Sequence, residues 1–195
     1  LLKFLEEPAS ADMLAILTSE NPDQLLPTIL SRAQIIPFVS QGAMQLEKAL
    51  TIEIKDDLDR YLVANMVSDA TSALTLLQDE AYINAKEIFK GFLDIAKHDL
   101  MEADIYLQKR GFSFKSKDIK QVVDIFCQIA YIFFKDCAYQ HYLNIPWWDE
   151  AVDNQQLKGI SLKAMTTFNE GKDRIQTNAN MNLLVDQMMF VLVNN

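Results

Sequence analysis

LLKFLEEP (residues 1–8) and LAILTSENPDQLLPTILSRAQIIPF (residues 14–38) decide how the start of this chain is built. The apolar helix ending in Leu5, Glu6 and Glu7 stops at Pro8, which has no N–H with which to continue it. Residues 13–17 form a short apolar run that suits a buried strand. Asn21 then offers an N-cap and Pro22 a first helical position. Leu25, Leu26, Ile29 and Leu30 carry that helix to Arg32, with Pro27 in its first turns. Residues 34–38 read as a second strand, at an edge or a strand end, because Pro37 cannot donate to a ladder. Helix, strand, helix, strand is the order of an α/β layer. Two strands do not make a stable sheet. Residues 1–39 are therefore expected to be the end of a larger α/β domain that starts upstream.

Beyond residue 40 the apolar residues recur at helical spacing. Met44, Leu46, Ala49 and Leu50 mark one helix. Leu58, Tyr61, Leu62, Asn65 and Met66 mark a second, and Ala73, Leu74 and Leu77 a third. A long helix is expected from about residue 82 to 109, with Ile88, Phe89, Phe92, Leu93 and Ala96 on a broad apolar face. Gly111 ends it. Ile119, Val122, Val123, Phe126, Ile129, Ala130 and Phe133 then share one face of the next helix. Residues 144–148 are expected to be a loop around Pro146. A further helix carries Leu162, Met165, Phe168 and Ile175. The last, from about residue 180 to 193, is apolar on nearly all sides. Five Gly and five Pro in 195 residues agree with a mainly α chain, since long helices need few of either.

Charge and composition narrow the function. The net charge is −9, whereas affinity for phosphates needs clustered Lys and Arg. The densest basic stretch, Lys109, Arg110, Lys115, Lys117 and Lys120, reads as a solvated junction between helices. A stand-alone nucleic-acid binder is not expected. No apolar run nears the ~20 residues of a membrane span, so no membrane partner is expected. Leu1 opens in mid-pattern without a basic n-region, so no signal peptide is expected, and the chain is expected to be a fragment or a proteolysed product. Cys127 and Cys137 form no metal or redox motif and fit free thiols in a reducing, cytoplasmic setting. His98 and His141 have no Cys or carboxylate at ligand spacing, so no metal is expected. Asp56, Asp57 and Asp59 suit a helix start, where the dipole favours negative charge. No Ser-His-Asp or Cys-His arrangement stands out.

Residues 1–38 resemble the end of the AAA+ module in bacterial clamp-loader subunits of the DNA polymerase III holoenzyme. In that family a helix ending Leu-Glu-Glu-Pro precedes the sensor-1 strand, and a helix ending Ser-Arg-Cys follows. Ser31 and Arg32 match, and Ala33 replaces the Cys. The resemblance implies that Arg32 acts in trans as an arginine finger at a neighbouring subunit's ATP site, with Ser31 in support. A guanidinium fork suits that task because it bridges phosphate oxygens and stabilises developing charge. By spacing alone, Arg32 is a cation complementing a helix C-terminus. Thr18 and Ser19 stand where sensor 1 would lie, and read equally as caps at a strand end. Residues 68–74 (SDATSAL) are similar to the family's Gly-x-x-Arg-x-Ala-Leu, with Thr71 in place of the sensor-2 Arg. Threonine cannot supply that fixed charge. The resemblance is thus to the subunit that does not hydrolyse ATP rather than to the ATP-hydrolysing gamma/tau subunit.

The resemblance extends to the C-terminus through residues 133–136 (FFKD) and 175–180 (IQTNAN), followed by Leu183, Leu184 and Asp186, which are similar to the family's collar. It implies a remnant of the AAA+ α/β domain at 1–39, a small helical lid at 40–90 and an all-helical collar for oligomerisation at 91–195. It implies other clamp-loader subunits (gamma/tau and delta) as partners, with the sliding clamp and primed DNA reached through the assembled complex. It implies no enzyme by itself and no cofactor of its own. Leu183, Leu184, Met188 and Phe190 are the candidate subunit-contacting residues of the terminal helix, where Met181 and Met189 also stand; core packing is the other reading of that helix. Trp147 and Trp148 are either a stacking surface or the plug of the bundle end. A gamma/tau subunit is one rival. A helical adaptor unrelated to replication is another, and it leaves Ser31, Arg32 and the Leu-Glu-Glu-Pro helix without a reason.

Overall fold

The computed structural model describes residues 16, 18, 26–31, 33, 34, 36, 42–111, 119–175 and 180–194. Contacts group the chain into two compact units, Leu1–Val39 and Ser40–Asn195. In the first, a single turn of helix, α1 (Pro27–Leu30), is described. It buries Ile29 and leaves Leu26 exposed. The expected strands at 13–17 and 34–38 fall mostly outside the described residues. Ile16, Gln34 and Ile36 lie in no regular element, and no strand occurs among the described residues.

The second unit is helical throughout its described length, so the chain is mainly α. Its helices are α2 (Ala43–Ala49), α3 (Asp57–Met66), α4 (Ala70–Leu77), α5 (Glu80–Ala96), α6 (Leu100–Tyr106), α7 (Ile119–Tyr139), α8 (Pro146–Asp153), α9 (Gln155–Ile175) and α10 (Met181–Val193). Short polar side chains set most of the starts. Asp56 accepts from the Asp59 N–H at 2.8 Å, Asp69 from Ser72 at 2.9 Å and Asp79 from Ala81 at 2.8 Å. Asp99 accepts from the Met101 and Glu102 N–H groups, and Asn180 from Asn182 and Leu183. Each such cap stabilises its helix by about 1 kcal/mol.

Asp99 also explains one departure from the pattern. The long helix expected over 82–109 is two, α5 and α6, because the Asp99 carboxylate satisfies the first amides of a new helix. The apolar periodicity runs through the break, so periodicity alone does not show it. The second helix ends in a π-helical turn, Leu107–Gly111. Residues 144–148 differ as well. Pro146 is the first residue of α8, where its missing N–H is harmless and its fixed φ is already helical. Trp147 and Trp148 therefore stand on a helix.

Helix α7 is the centre of the unit. It lies against α9 along much of its length and against α5 on another side. Between them sits an aromatic core. Phe89 meets Phe126, Phe133 and Trp148, Phe133 meets Trp148 edge-on at 5.0 Å, and Phe134 stacks on Phe168 at 5.8 Å. Edge-to-face and offset pairs of this kind add about 0.5–1.5 kcal/mol each beyond the area that they bury. Trp148 is fully buried, so it plugs the bundle, while Trp147 is partly covered and takes Lys90 Nζ over its ring at 5.5 Å. The expected lid–collar division between residues 90 and 91 falls inside α5, whose Phe89 and Phe92 share this core.

Candidate functional site

Arg32, the expected finger, lies outside the described residues. Its neighbour Ser31 is exposed at the end of α1, where its Oγ donates to the Thr28 carbonyl at 3.2 Å. That bond is local and holds the last turn. Thr18 is exposed, and Ser19 lies outside the described residues. Thr71 is exposed in the first turn of α4. The helix N-terminus beside it is already occupied by the Asp69 carboxylate, which accepts from the Ser72 N–H and Oγ. Those two hydrogen bonds hold the Asp69 carboxyl below the usual range. A negative charge here, and no cation at 71, is unfavourable surroundings for a phosphate.

The terminal helix separates the four candidate contact residues. Leu184 and Met188 turn inward and are buried in the chain's own core, with Met181, Val185, Met189 and Leu192. Met188 Sδ lies 3.9 Å from the buried Cys127 Sγ on α7. Leu183 and Phe190 face outward, 55% and 68% exposed, with Val191 at 41%. Helix α10 is thus both core and open apolar surface, which its all-round apolar sequence leaves undecided. Gly171 on α9 lets the two helices close: a Cβ there would run into the Met188 sulfur. Beside that contact runs an open groove of about 530 Å³ with an apolar wall of Leu184, Met188 and Phe190 and a polar rim of Glu170, Arg174 and Gln187. Arg174 Nη1 donates to Gln187 Oε1 across it at 3.4 Å. The Lys163 ammonium donates to the Asn194 carbonyl at 3.0 Å and ties down the end of the helix. An apolar strip beside a groove with a polar rim suits a protein partner.

A third feature has no signal in the sequence pattern. Asp136 on α7 is 2% exposed. Three donors converge on its carboxylate: Tyr61 Oη at 2.7 Å, His141 Nδ1 at 3.1 Å and Trp148 Nε1 at 3.1 Å. Burial pushes the Asp136 carboxyl up, and the three donors pull against that shift. Burial and the neighbouring Asp136 carboxylate raise the Tyr61 phenol far above its ordinary value. Three parts of the chain meet at this carboxylate: α3, the end of α7 with the turn after it, and α8. A period-based reading places position 136 on the buried face and stops there; only the tertiary contacts supply the donors. Asp59 also exceeds its expected part as a dipole-compensating charge. Its Oδ1 accepts from Tyr82 Oη and Lys86 Nζ, each at 2.6 Å, and links α3 to α5.

Among the described residues no group of His, Cys, Asp and Glu could hold a metal ion, and no helix is long and apolar enough to cross a membrane. Cys127 and Cys137 are free and buried. Burial pushes the Cys137 thiol up to about 12 and the Cys127 thiol higher still. A thiol in that state is a poor nucleophile.

The described part of the second unit is a helical bundle that carries an open apolar face on its terminal helix. Comparison with known proteins shows what the chain is similar to. Residues 1–41 match the family model described as DNA polymerase III, delta subunit. The chain is similar in particular to DNA polymerase III subunit delta' of Bacillus subtilis (strain 168), 23% identical over 206 residues, which takes in 98% of this chain and 60% of that protein. The chain is delta-prime-like, and it spans three-fifths of the length of that relative. No solved structure matches it.

Proposed function

We propose that this chain is the carboxy-terminal part of a delta-prime-type clamp-loader subunit, a scaffold without catalysis of its own, working in the cytoplasm. One observation carries the reading. The similarity to subunit delta' runs along 98% of the chain, and the family match over residues 1–41 takes in Ser31 and Arg32. In this reading residues 1–39 end an AAA+ domain, 40–90 form the lid and 91–195 the collar, with α5 as the element common to both. The collar joins the subunit to gamma/tau and delta subunits. The assembly places the sliding clamp on primed DNA.

Arg32 then serves a neighbour's ATP site, where an arginine finger is worth roughly 10³–10⁵ in rate at the site that it completes. Thr71 favours this reading over a gamma/tau subunit, which needs an Arg there. A replication-unrelated adaptor leaves the match over residues 1–41 unexplained. Two measurements test the proposal. The chain should co-elute with gamma/tau subunits on size exclusion; separate elution overturns the scaffold reading. The full-length subunit with Arg32→Ala should assemble into a loader whose ATPase, stimulated by clamp and primed DNA, is depressed. ATPase equal to that of the unsubstituted loader removes the finger.

A further inference from the structure

Two helices of the second unit carry exposed apolar residues side by side. Met101 and Ile105 stand one turn apart on α6, and both are exposed. Leu183 and Phe190 stand on the outward side of α10. Helix α6 and the π-helical turn after it pack against α10. Each stripe holds one partly buried carboxylate. Asp104 follows Met101 by three positions, and Asp186 follows Leu183 by three, the spacing of neighbours on one helix face. The stripes adjoin at these two carboxylates. Gln108 Nε2 donates to Asp104 at 3.1 Å. Lys109 is exposed in the next turn, yet among the described residues neither carboxylate has an ion-pair partner. Burial pushes the Asp104 carboxyl up, the Gln108 hydrogen bond pulls against that shift, and the Asp186 charge adds to it.

We infer that α6 and α10 form one composite docking face for an amphipathic helix of a partner subunit. A lysine or arginine of that helix enters between Asp104 and Asp186, while its apolar residues cover Met101, Ile105, Leu183 and Phe190. This rests on the clamp-loader reading, which supplies the partner. It adds α6 as half of the face and a cation as what the face takes.

Charge decides the occupant. Two carboxylates held close together without a counter-ion repel each other, and a cation placed between them removes that cost. A nucleic acid or an anionic lipid surface brings further negative charge to them. A second copy of this chain fails for the same reason. In a two-fold interface the same patch meets itself, so Asp104 and Asp186 would face their own equivalents. The chain as a whole carries −9, which draws a cationic partner and repels another copy. Shape agrees with charge. Two packed helices with apolar residues along both rims leave a furrow, and an amphipathic helix fills such a furrow with anchors three and four residues apart.

Titration calorimetry of the 195-residue chain against a gamma/tau subunit, at low and high NaCl, tests this. The double variant Asp104→Asn, Asp186→Asn keeps the shape of both side chains and removes both charges. Its affinity should fall roughly tenfold or more, and its salt dependence should flatten. Its own urea midpoint should be unchanged or higher, because a repulsion has gone. Met101→Gln, Ile105→Gln should weaken binding roughly fivefold or more, as loss of apolar anchors does. Affinity equal to that of the unsubstituted chain in either double variant overturns the composite face and leaves the clamp-loader reading standing. A lowered urea midpoint in the Asn variant makes the carboxylates structural and overturns it too. Self-association of the unsubstituted chain that the Asn pair strengthens makes the occupant a second copy, against the inference. An unsubstituted chain that gives no binding heat and no co-elution overturns the clamp-loader reading and this inference with it.

Discussion

Replacing Asp136 with Ala should destabilise the folded chain by about 3 kcal/mol, a value assembled from the groups that meet there. Tyr61 Oη and Trp148 Nε1 are buried donors that lose their acceptor, and stranding such a group costs about 1–3 kcal/mol. His141 is half exposed and finds water, so it adds little. Against these losses stands one gain: a carboxylate whose acidity burial has suppressed no longer has to be held out of water. Asp136→Asn separates the parts. Its carbonyl still accepts from Tyr61, but its amide N–H groups face the Trp148 N–H, for a loss of about 1–2 kcal/mol.

The pH dependence has a definite sign. The folded state holds the Asp136 proton more tightly than the unfolded chain does. Its stabilising contribution is complete below the ordinary aspartate value and is lost as pH rises through the raised one. Asp136→Asn lacks that decline. Urea unfolding followed by far-ultraviolet circular dichroism at several pH values measures all three quantities. An Ala variant within about 1 kcal/mol of wild type, or an Asn variant as unstable as Ala, refutes the claim that stranded donors dominate.

The exposed face of α10 should be separable from its core. The double variant Leu183→Glu, Phe190→Glu should shift stability by only about ±0.5 kcal/mol per site, as exposed substitutions do, while abolishing co-elution with gamma/tau subunits; retained co-elution places the contact elsewhere. The two helix-packing glycines should respond differently. At Gly91 a Cβ would meet the Tyr106 ring and hydroxyl, so Gly91→Ala should lose about 1–3 kcal/mol in thermal or urea melts. At Gly171 it would meet only the end of the flexible Met188 side chain, and the roughly 1 kcal/mol of helix propensity gained by Ala should nearly offset the displacement. Neither Cys127 nor Cys137 should react with a disulfide-exchange reagent near neutral pH until the chain is unfolded. Fast labelling of the native chain would show that their burial is not maintained in solution.

The amino-acid order alone determined the helical class and most helix positions after residue 40. Apolar residues at three and four apart, with few Gly and Pro, have one economical arrangement in water. It also determined the resemblance carried by residues 1–38, because that rests on residue identity. Local chemistry that was visible but ambiguous went the other way in two places. Pro146 could stop a chain or start a helix, and Asp99 could be surface charge or a cap; in both, the backbone that follows decides. What only the tertiary structure decided is which apolar residues are spent on the core. Leu184 and Met188 are covered by this chain and Leu183 and Phe190 are not, although all four stand in one uniformly apolar helix. The Asp136 site belongs to the same category. Its donors come from Tyr61, His141 and Trp148, residues distant or unrelated in pattern, and a buried charge takes its meaning from the groups that converge on it, which chain folding alone brings within hydrogen-bond reach.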